Sequence, residues 1–491
     1  MKRIIILLLF LAVPAFAGWT EPVRISEPGG CLYPQILAQG DTLHVVYSNN
    51  EQGWKIGYVR STDGGDTWSN QQVLSEDSSE TVFVRIVENG AKLMVLWRNN
   101  DYYSGPRSRN LGYNISNNNG RSWSEPDYIL HPNWAHILYF SSSGSGPVVN
   151  VILSSRINHE LIFFDIRSTD FGRSWSEPAE IFRAAQSSLT DQTQIGDNLH
   201  FSWAGRFVWE GGWETFYMRS SDNGATWSDN IMISDDDQVL SKLPSICTDE
   251  YGNIALCWWD YKYSPGYWIN GDILVKQSLD TGTTWSAEDQ VTAEHRAERS
   301  DIFWSTDTLH IVWEDWRFGL PTIFYVNSHD SIHDWSNEQR LEDDPDDSDN
   351  PAVASSNGKV YVIWCDDRCD PDTDICGGVY FTRHDQEVGI KDEKKIIIPD
   401  EYSLHVYPNP FNSSVTLSLD IVNDSEIALA IYDVNGRLVK TIFKGGRQEK
   451  GVHKYTWDAV DASGNKVSSG IYFLKAETPE ISKAIKVLYL R

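Results

Sequence analysis

Methionine is scarce, with four residues in 491, and cysteine nearly so, with six. Basic residues are also short, 41 Lys and Arg against 69 Asp and Glu, which leaves a formal charge of −28. Nucleic acid is held by Lys and Arg through counterion release, so this balance excludes it as a partner. An anionic bilayer surface is excluded on the same ground. After the first residues no long apolar run recurs, so no later segment reads as a membrane-spanning helix. No His-Glu-x-x-His pair or Cys-x-x-Cys pair offers a zinc site. No Gly-x-Ser-x-Gly elbow and no phosphate-cradling glycine loop is present either. What the chain has in quantity is aromatic: 21 Trp, 22 Tyr and 18 Phe. That composition favours strands over long helices. An apolar share of 41% is enough for a packed core, which sets disorder aside.

The first residues carry an address. Met1-Lys2-Arg3 is followed by the apolar run Ile4 to Val13 and then by Ala15-Phe16-Ala17. A short positive start, a short apolar core and a small-x-small end are the marks of a secretory signal, here cut after Ala17. The run is too short to span a bilayer. Export puts the six cysteines in an oxidising setting. Cys247 and Cys257 flank the turn-like stretch Thr248 to Asn253, which suits a bridge across a hairpin. Cys369 and Cys376 bracket a short loop, and Cys31 and Cys365 are left over. Six cysteines allow fifteen pairings, and spacing alone does not choose among them.

At roughly 150 residues per domain the length suggests about three domains, but internal repeats override such a count. One octad keeps returning. It reads Ser61-Thr62-Asp63-Gly64-Gly65-Asp66-Thr67-Trp68, and it recurs at Ser116 to Trp123, Ser168 to Trp175, Ser220 to Trp227 and Ser278 to Trp285. A decayed sixth copy runs from Ser328-His329-Asp330 to Trp335. The third residues of successive copies lie 55, 52, 52, 58 and 50 positions apart. Asp or Asn can bond backbone N–H groups of its own turn, and Gly accepts positive φ. Trp then plugs the adjoining sheet. Alternating strands flank each octad, such as Lys55 to Arg60 before it and Ser69 to Leu74 after it. Two more strands precede, as in Leu43 to Tyr47. The octad is therefore the hairpin turn between a third and a fourth strand. Four strands per roughly 50 residues, repeated radially, make a β-propeller.

These octads resemble the Asp boxes of the sialidase-like propellers, over about residues 19–386. The resemblance implies a staple on the face away from ligands. Residues 350–385 supply three strands and no octad, whereas Trp19 to Ser26 looks like the outer strand that follows one. The N-terminus is expected to complete the last blade. Seven blades are favoured, with six, the number in sialidases, possible. Cys31 and Cys365 then fall near the closing seam.

After Gln386 the pattern stops. Residues 387–400 read as a charged linker and 401–491 as a small immunoglobulin-like β-sandwich. Tyr407-Pro408-Asn409-Pro410-Phe411-Asn412, an Asn435-Gly436 hairpin turn and Ser469-Gly470-Ile471-Tyr472 resemble the C-terminal sorting domains of the type IX secretion system. Their architecture is also similar to a flagellar hook-cap module. The resemblance implies the outer-membrane secretion machinery as a partner. The fold class expected is thus all-β, a propeller at 18–386 followed by the sandwich.

In a propeller the second-to-third loops and the blade crossings form the ligand face. Here they bear Arg206, Trp209 and Trp213 in blade four, and Asp260, Tyr263 and Trp268 in blade five. Blade six adds Asp315, Trp316 and Arg317, blade seven Asp366 and Arg368, and blade two Asp101-Tyr102-Tyr103. Rings beside Asp and Arg suit a carbohydrate, whose flat faces cover the rings while its hydroxyls take charge-assisted bonds. The recurrence of Trp-x-Asp-x-Arg/Lys in three blades equally fits pairs that brace a repeat. An acidic run, Asp343 to Asn350, lies on a crossing, and Asp346, Asp347 and Asp349 are weak candidates for Ca²⁺. No cofactor is otherwise expected.

The resemblance to sialidases implies three arginines, a Tyr–Glu nucleophilic pair and an Asp acid. The family's first arginine stands in an Arg-Ile-Pro element where this chain has Tyr33-Pro34-Gln35-Ile36. The expectation is an exported monomer, secreted through the periplasm or held at the cell surface, that recognises a glycan or glycoprotein without catalysis. The alternatives are a sialidase-type glycoside hydrolase and a structural propeller that binds protein.

Overall fold

The computed structural model describes residues 18–50, 53–75, 81–99, 111–129, 137–157, 160–207, 212–237, 239–263, 271–293, 296–329, 332–342, 347–370, 375–385, 402–407, 411–421, 425–433, 437–448, 451–477 and 482–490. The chain divides into two compact units, Met1–Gly389 and Ile390–Arg491. The signal segment, the linker, Asp101-Tyr102-Tyr103 and Asn435-Gly436 lie outside the described residues.

The first unit is a ring of seven four-stranded antiparallel sheets. Blade one is Cys31–Gln39, Thr42–Asn49, Lys55–Ser61 and Gln72–Val73 in spatial order. The inner strands of the next six blades are Thr81–Asn89, Ile137–Ser145, Gln186–Ile195, Ser241–Thr248, Ala297–Ser305 and Ser348–Ser356. Each inner strand neighbours the next, and the seventh returns to the first. In blade seven the fourth strand is Val23–Arg24, which pairs with Tyr380 and Phe381 of Ile375–Asp385. The ring is thereby closed by the N-terminal segment. A disulfide joins Cys31, at the start of blade one, to Cys365 in the second strand of blade seven. A second joins the cross-strand pair Cys369 and Cys376.

The expected bridge between Cys247 and Cys257 does not form; both are free and buried. The register explains why. Cys247 stands opposite Ala255 and Cys257 opposite Ser245, so the two thiols lie diagonally instead of facing each other.

Second strands have a blade on either side, and their sequences show it. Ile254–Asp260 and Thr308–Asp315 are buried at every position. Trp97, Trp203, Trp258, Trp313 and Trp364 occupy equivalent places there and are fully buried. With 150–250 Å² per ring at about 25 cal/mol per Å², each contributes on the order of 5 kcal/mol as an upper bound.

The octads carry their chemistry openly. Ser61 Oγ donates to Asp63 Oδ1 at 2.7 Å and accepts the Gly65 N–H at 2.9 Å, while Thr67 N–H donates to Asp63 Oδ1 at 2.9 Å. The same bonds recur at Ser116, Ser168, Ser220 and Ser278. The hydroxyl and N–H bonds from Thr67, Ser174 and Thr226 hold the carboxyls of Asp63, Asp170 and Asp222 down at about 2. Backbone bonds from Gly64 to Asp41, Asn119 to Ala91 and Asn223 to Asp197 tie octads to the first hairpin turns. Both therefore lie at one end of the ring, and the second-to-third loops lie at the other.

Each octad also rivets its blade to the one before. Trp123 sits edge-on to Tyr58 of blade one at 4.9 Å, and Trp285 to Tyr217 of blade four at 4.9 Å. The fifth octad residue is left-handed in each intact copy, with φ of +94, +73, +83, +82 and +81°. A Cβ at Gly120 would lie 1.7 Å from Tyr58 Oη. The decayed copy lacks this glycine; there Ser328 Oγ bonds the Asp334 carbonyl, and Trp335 Nε1 donates to Asp289 at 2.9 Å.

The second unit has a three-stranded sheet, Tyr402–Tyr407, Val415–Ile421 and Gly451–Trp457. A four-stranded sheet of Leu438–Phe443, Ala428–Asp433, Gly470–Glu477 and Ser482–Tyr489 accompanies it. Trp457, Phe411, Leu429 and Leu474 share one core.

Two glycine substitutions separate turn strain from seam packing. Gly90, with φ +60° in a hairpin turn, has nothing within 4 Å of an added Cβ. Gly90→Ala is expected to cost about 1 kcal/mol, the left-handed penalty alone. Gly120→Ala must also displace Tyr58, and is expected to cost roughly 3 kcal/mol or more. Chemical denaturation of the two variants checks the difference.

Candidate functional site

The inner strands start with an irregularity. Pairing to the second strand shifts between Leu32 and Gln35, Val82 and Val84, Lys242 and Ser245, Glu298 and Asp301, and Asp349 and Ala352. Each bulge holds a non-glycine residue in the left-handed region. They are Tyr33 (φ +52°), Phe83 (+54°), Leu243 (+54°), Arg299 (+41°) and Asn350 (+52°). Bulges re-aim side chains and are common beside functional sites. In three of the five the next residue is proline, at Pro34, Pro244 and Pro351. Proline suits the place, because a bulge leaves its nitrogen without a ladder partner.

All five residues line one cavity of about 300 Å³ at the axis. Among the described residues its walls come from the inner strands of every blade except the third. Tyr33 stacks on Phe83 with centroids 4.1 Å apart, and the Arg98 guanidinium covers the Phe83 ring at 4.4 Å. Tyr139 meets Phe83 edge-on at 5.6 Å.

Across the mouth Arg299 Nη1 donates to Asn350 Oδ1 at 3.2 Å. It lies 3.7 Å from Glu314 Oε1 and 3.8 Å from Asp349 Oδ2. Glu314 also accepts the Asn350 N–H at 2.7 Å. Burial pushes Glu314 up to about 8 and Asp349 to about 6. Near neutrality, then, Glu314 keeps its proton while Asp349 is mostly ionised. Deeper in the channel Ser245 Oγ is 3.3 Å from Asp191 Oδ2 and 3.0 Å from Asp301 Oδ1. Asp191 accepts the Ile246 N–H and Asp301 the Val353 N–H, each across a blade boundary. Burial raises both carboxyls, Asp301 to about 6, and the Arg85 charge opposes the rise.

The repeated Trp-x-Asp-x-Arg residues are occupied differently. Asp315 accepts the Trp313 indole N–H at 3.1 Å, the Arg317 backbone N–H at 2.9 Å and the Arg317 guanidinium at 2.7 and 2.6 Å. Arg317 also bonds Glu338. Asp366 accepts from Trp364 and Arg368, and Arg368 reaches Glu342 as well. Asp260 accepts from Trp258 Nε1 and the Lys262 N–H. These aspartates are buried, and their acceptors serve the loops themselves. Trp316 is half-buried, and its backbone N–H bonds the Arg296 carbonyl.

Of the remaining candidates, half-buried Trp213 lies under Lys242 Nζ at 4.4 Å. Arg206 ends the strand Asn198–Arg206, and its charge helps burial to lower Lys242. Tyr263 is 41% exposed and donates its hydroxyl to Glu288 at 2.8 Å. Trp209, Trp268 and Asp346 lie outside the described residues. Asp347 is exposed, and Asp349 faces Arg299, a cation that competes with Ca²⁺ for the same oxygens. Among the described residues no group of three His, Cys, Asp or Glu could hold a metal ion.

The mouth residues Tyr33, Phe83, Arg98, Arg299 and Glu314 were not among the sequence candidates. The readable signal was proline one step after equivalent positions, at Tyr33-Pro34, Leu243-Pro244 and Asn350-Pro351.

A model of the FlgD Ig-like domain family matches residues 411–480. No curated protein sequence matches the chain. Among solved structures, a polysaccharide lyase described as an ulvan lyase, bound to a GlcA(1-4)Rha3S glycan, is 11% identical with a TM-score of 0.51. The match covers 74% of this chain and 95% of that one. The polysaccharide lyase Uly1 is also 11% identical, at a TM-score of 0.50, over 73% of this chain and 90% of its own. A Trypanosoma rangeli sialidase in complex with 2,3-difluorosialic acid is 11% identical, with a TM-score of 0.41, over 93% of this chain and 83% of its own. At these identities the two lyases show that the first unit shares their propeller fold, and nothing of its chemistry.

Proposed function

We propose that the propeller recognises a glycan or glycoprotein at its axial mouth. One observation carries this reading: five non-glycine residues, each held at positive φ, line a single cavity. Such backbone costs of order 1–3 kcal/mol and persists only where the surroundings over-determine it, as they do at ligand sites. The Tyr33–Phe83 stack offers a flat apolar face, and Arg98, Arg299 and Asp349 beside it supply charged donors and acceptors. That pairing of surfaces suits a sugar. A polysaccharide lyase structure of similar fold was solved with a glycan bound, which is consistent with it. The reading needs no cofactor.

A second reading, a sialidase-type or related glycoside hydrolase, draws support from Glu314. A carboxyl that holds its proton near pH 7 beside an arginine can act as a general acid. Tyr33 stands where that family places its first arginine, which ranks recognition ahead of hydrolysis. A structural, protein-binding propeller is a third reading.

We further propose export through the periplasm, with cleavage after Ala17, and delivery to the surface or medium by a sorting function of residues 401–491. The Met1 to Ala17 pattern and the match of residues 411–480 to an immunoglobulin-like family support this route.

Glycan-array screening of the mature chain, together with a fluorogenic glycoside screen, tests the reading. Arg299→Ala and Tyr33→Ala are each expected to weaken array binding at least tenfold while shifting Tm little; unchanged binding in both would remove the axial mouth from consideration. Asp315→Ala should behave in the opposite sense. It leaves Arg317 and the Trp313 indole without their buried partner, and is expected to cost roughly 3–5 kcal/mol of stability with binding retained.

A further inference from the structure

The Trp-x-Asp braces recur on three blades, but their charges do not balance alike. In blade seven the Arg368 guanidinium contacts both Asp366 and Glu342 of the preceding blade. In blade six Arg317 grips Asp315 and reaches Glu338. Blade five has Lys262 at the equivalent place, and its Nζ goes elsewhere, to Asp235 and Glu288. From residue 262 Asp260 therefore receives the backbone N–H, at 2.7 Å, and no side-chain cation.

The seam between blades four and five nonetheless holds two carboxyls. Ser241 Oγ is 2.8 Å from Asp260 Oδ2 and 3.4 Å from Glu214 Oε2. Ser234 Oγ donates to Glu214 Oε2 at 2.7 Å. Glu214 is only 2% exposed, and its Oε1 is buried with no hydrogen-bond partner among the described residues. A buried carboxylate oxygen without a donor is costly, so something positive belongs there.

The charges facing the pair are known from each side. Asp236 and Asp237, on the crossing between the blades, both raise Glu214, as does Asp260. Asp237 also raises Asp260. Lys262 is committed to Asp235 and Glu288, Lys276 Nζ to the Ile233 carbonyl at 2.6 Å, and Lys242 Nζ to the Trp213 ring. Every neighbouring lysine points to another partner, and the near carboxylates repel. Among the described residues no group of three His, Cys, Asp or Glu could hold a metal ion, and the positive charge assigned here is a proton.

We infer that Glu214 and Asp260 hold one proton between them, and that this proton latches the seam between blades four and five. The seam backs the ligand face directly: Asp260 anchors the turn that carries Tyr263, and Ser241 precedes Lys242 over Trp213. Burial raises Glu214 to about 7, and Asp260 is raised by burial too. A carboxyl raised in the folded state stabilises fully below its unfolded pKa, and that contribution is lost as pH rises through the folded value. The latch therefore weakens progressively as pH rises above the ordinary glutamate value and is released by about pH 7.

Thermal melts of the full chain in EDTA, from about pH 5.5 to 8.5, test this for the parent, Glu214→Gln and Lys262→Arg. Glutamine keeps the shape and a donor without titrating. Arginine at 262 would restore the grip that Arg317 and Arg368 make in the next two blades. Both variants are expected to lose less Tm than the parent on going alkaline, so that the gap between variant and parent widens through neutrality. A gap that stays constant with pH would assign Glu214 a structural role and overturn the proposal. Ca²⁺ that raises the alkaline Tm of the parent but not of Glu214→Gln would put a cation in the proton's place, and would overturn it as well. Should Glu214→Gln fail to fold, Asp260→Asn carries the same comparison.

Discussion

Seven sheets arranged radially share no continuous backbone ladder, only single main-chain bonds such as Thr81 N–H to the Trp54 carbonyl and Ala297 N–H to the Gly271 carbonyl, so most of their cohesion comes from side chains at the seams. Most of the recurrent sequence in this chain answers that constraint. At one end, the octad satisfies its own turn through a serine hydroxyl and an aspartate carboxylate, then sets a Cβ-less backbone and an indole against the preceding blade. At the other end, buried tryptophans donate to aspartates that in turn hold the loop and its cation. Between the two ends, Asp191 and Asp301 reach across blade boundaries to backbone N–H groups. Closure adds a main-chain pairing, Val23–Arg24 on blade seven, and the Cys31–Cys365 bond beside it.

Because seam chemistry repeats, it was legible. The octad spacing revealed the blades, and the Trp19 to Ser26 segment, read as an orphan outer strand, led to the count of seven. The axial mouth was less legible for a physical reason. Its side chains are assembled from inner strands far apart in sequence, and they are aimed by bulges whose only local trace is a proline in three of five blades. Register was equally hidden. Cys247 and Cys257 flank an ideal-looking turn, yet the hairpin pairs them with Ala255 and Ser245. A flanking distance says nothing about which residues end up opposite.

Repetition also sorts structural residues from functional ones. Asp260, Asp315 and Asp366 recur because a seam recurs, and each is buried with its acceptors engaged. The left-handed bulge positions share a backbone conformation but not a side chain: Tyr33, Phe83, Leu243, Arg299 and Asn350. A constant scaffold with variable side chains is how one fold comes to serve many ligands. Lys262 is informative for the same reason. It departs from the arginine of its two equivalents, and the imbalance it leaves falls on the aromatic side of the ligand face.

Charge distribution carries this one step further. The chain is strongly acidic, yet Arg85 and Arg299 line the axial cavity and Arg98 covers the Phe83 ring beside it. Cations close together repel unless countered, and Glu298 and Asp349 supply negative charge beside Arg299 in the free protein. Glu314 already keeps its proton near neutrality, and burial pushes Asp349 up to about 6, so a modest fall in pH neutralises Asp349 and leaves Arg299 less compensated. A ligand rich in hydroxyl or acidic oxygens would then find its donors unmasked at the pH where the seam between blades four and five is also held closed. The acid side of neutrality is therefore where the mouth is both best supported and most receptive.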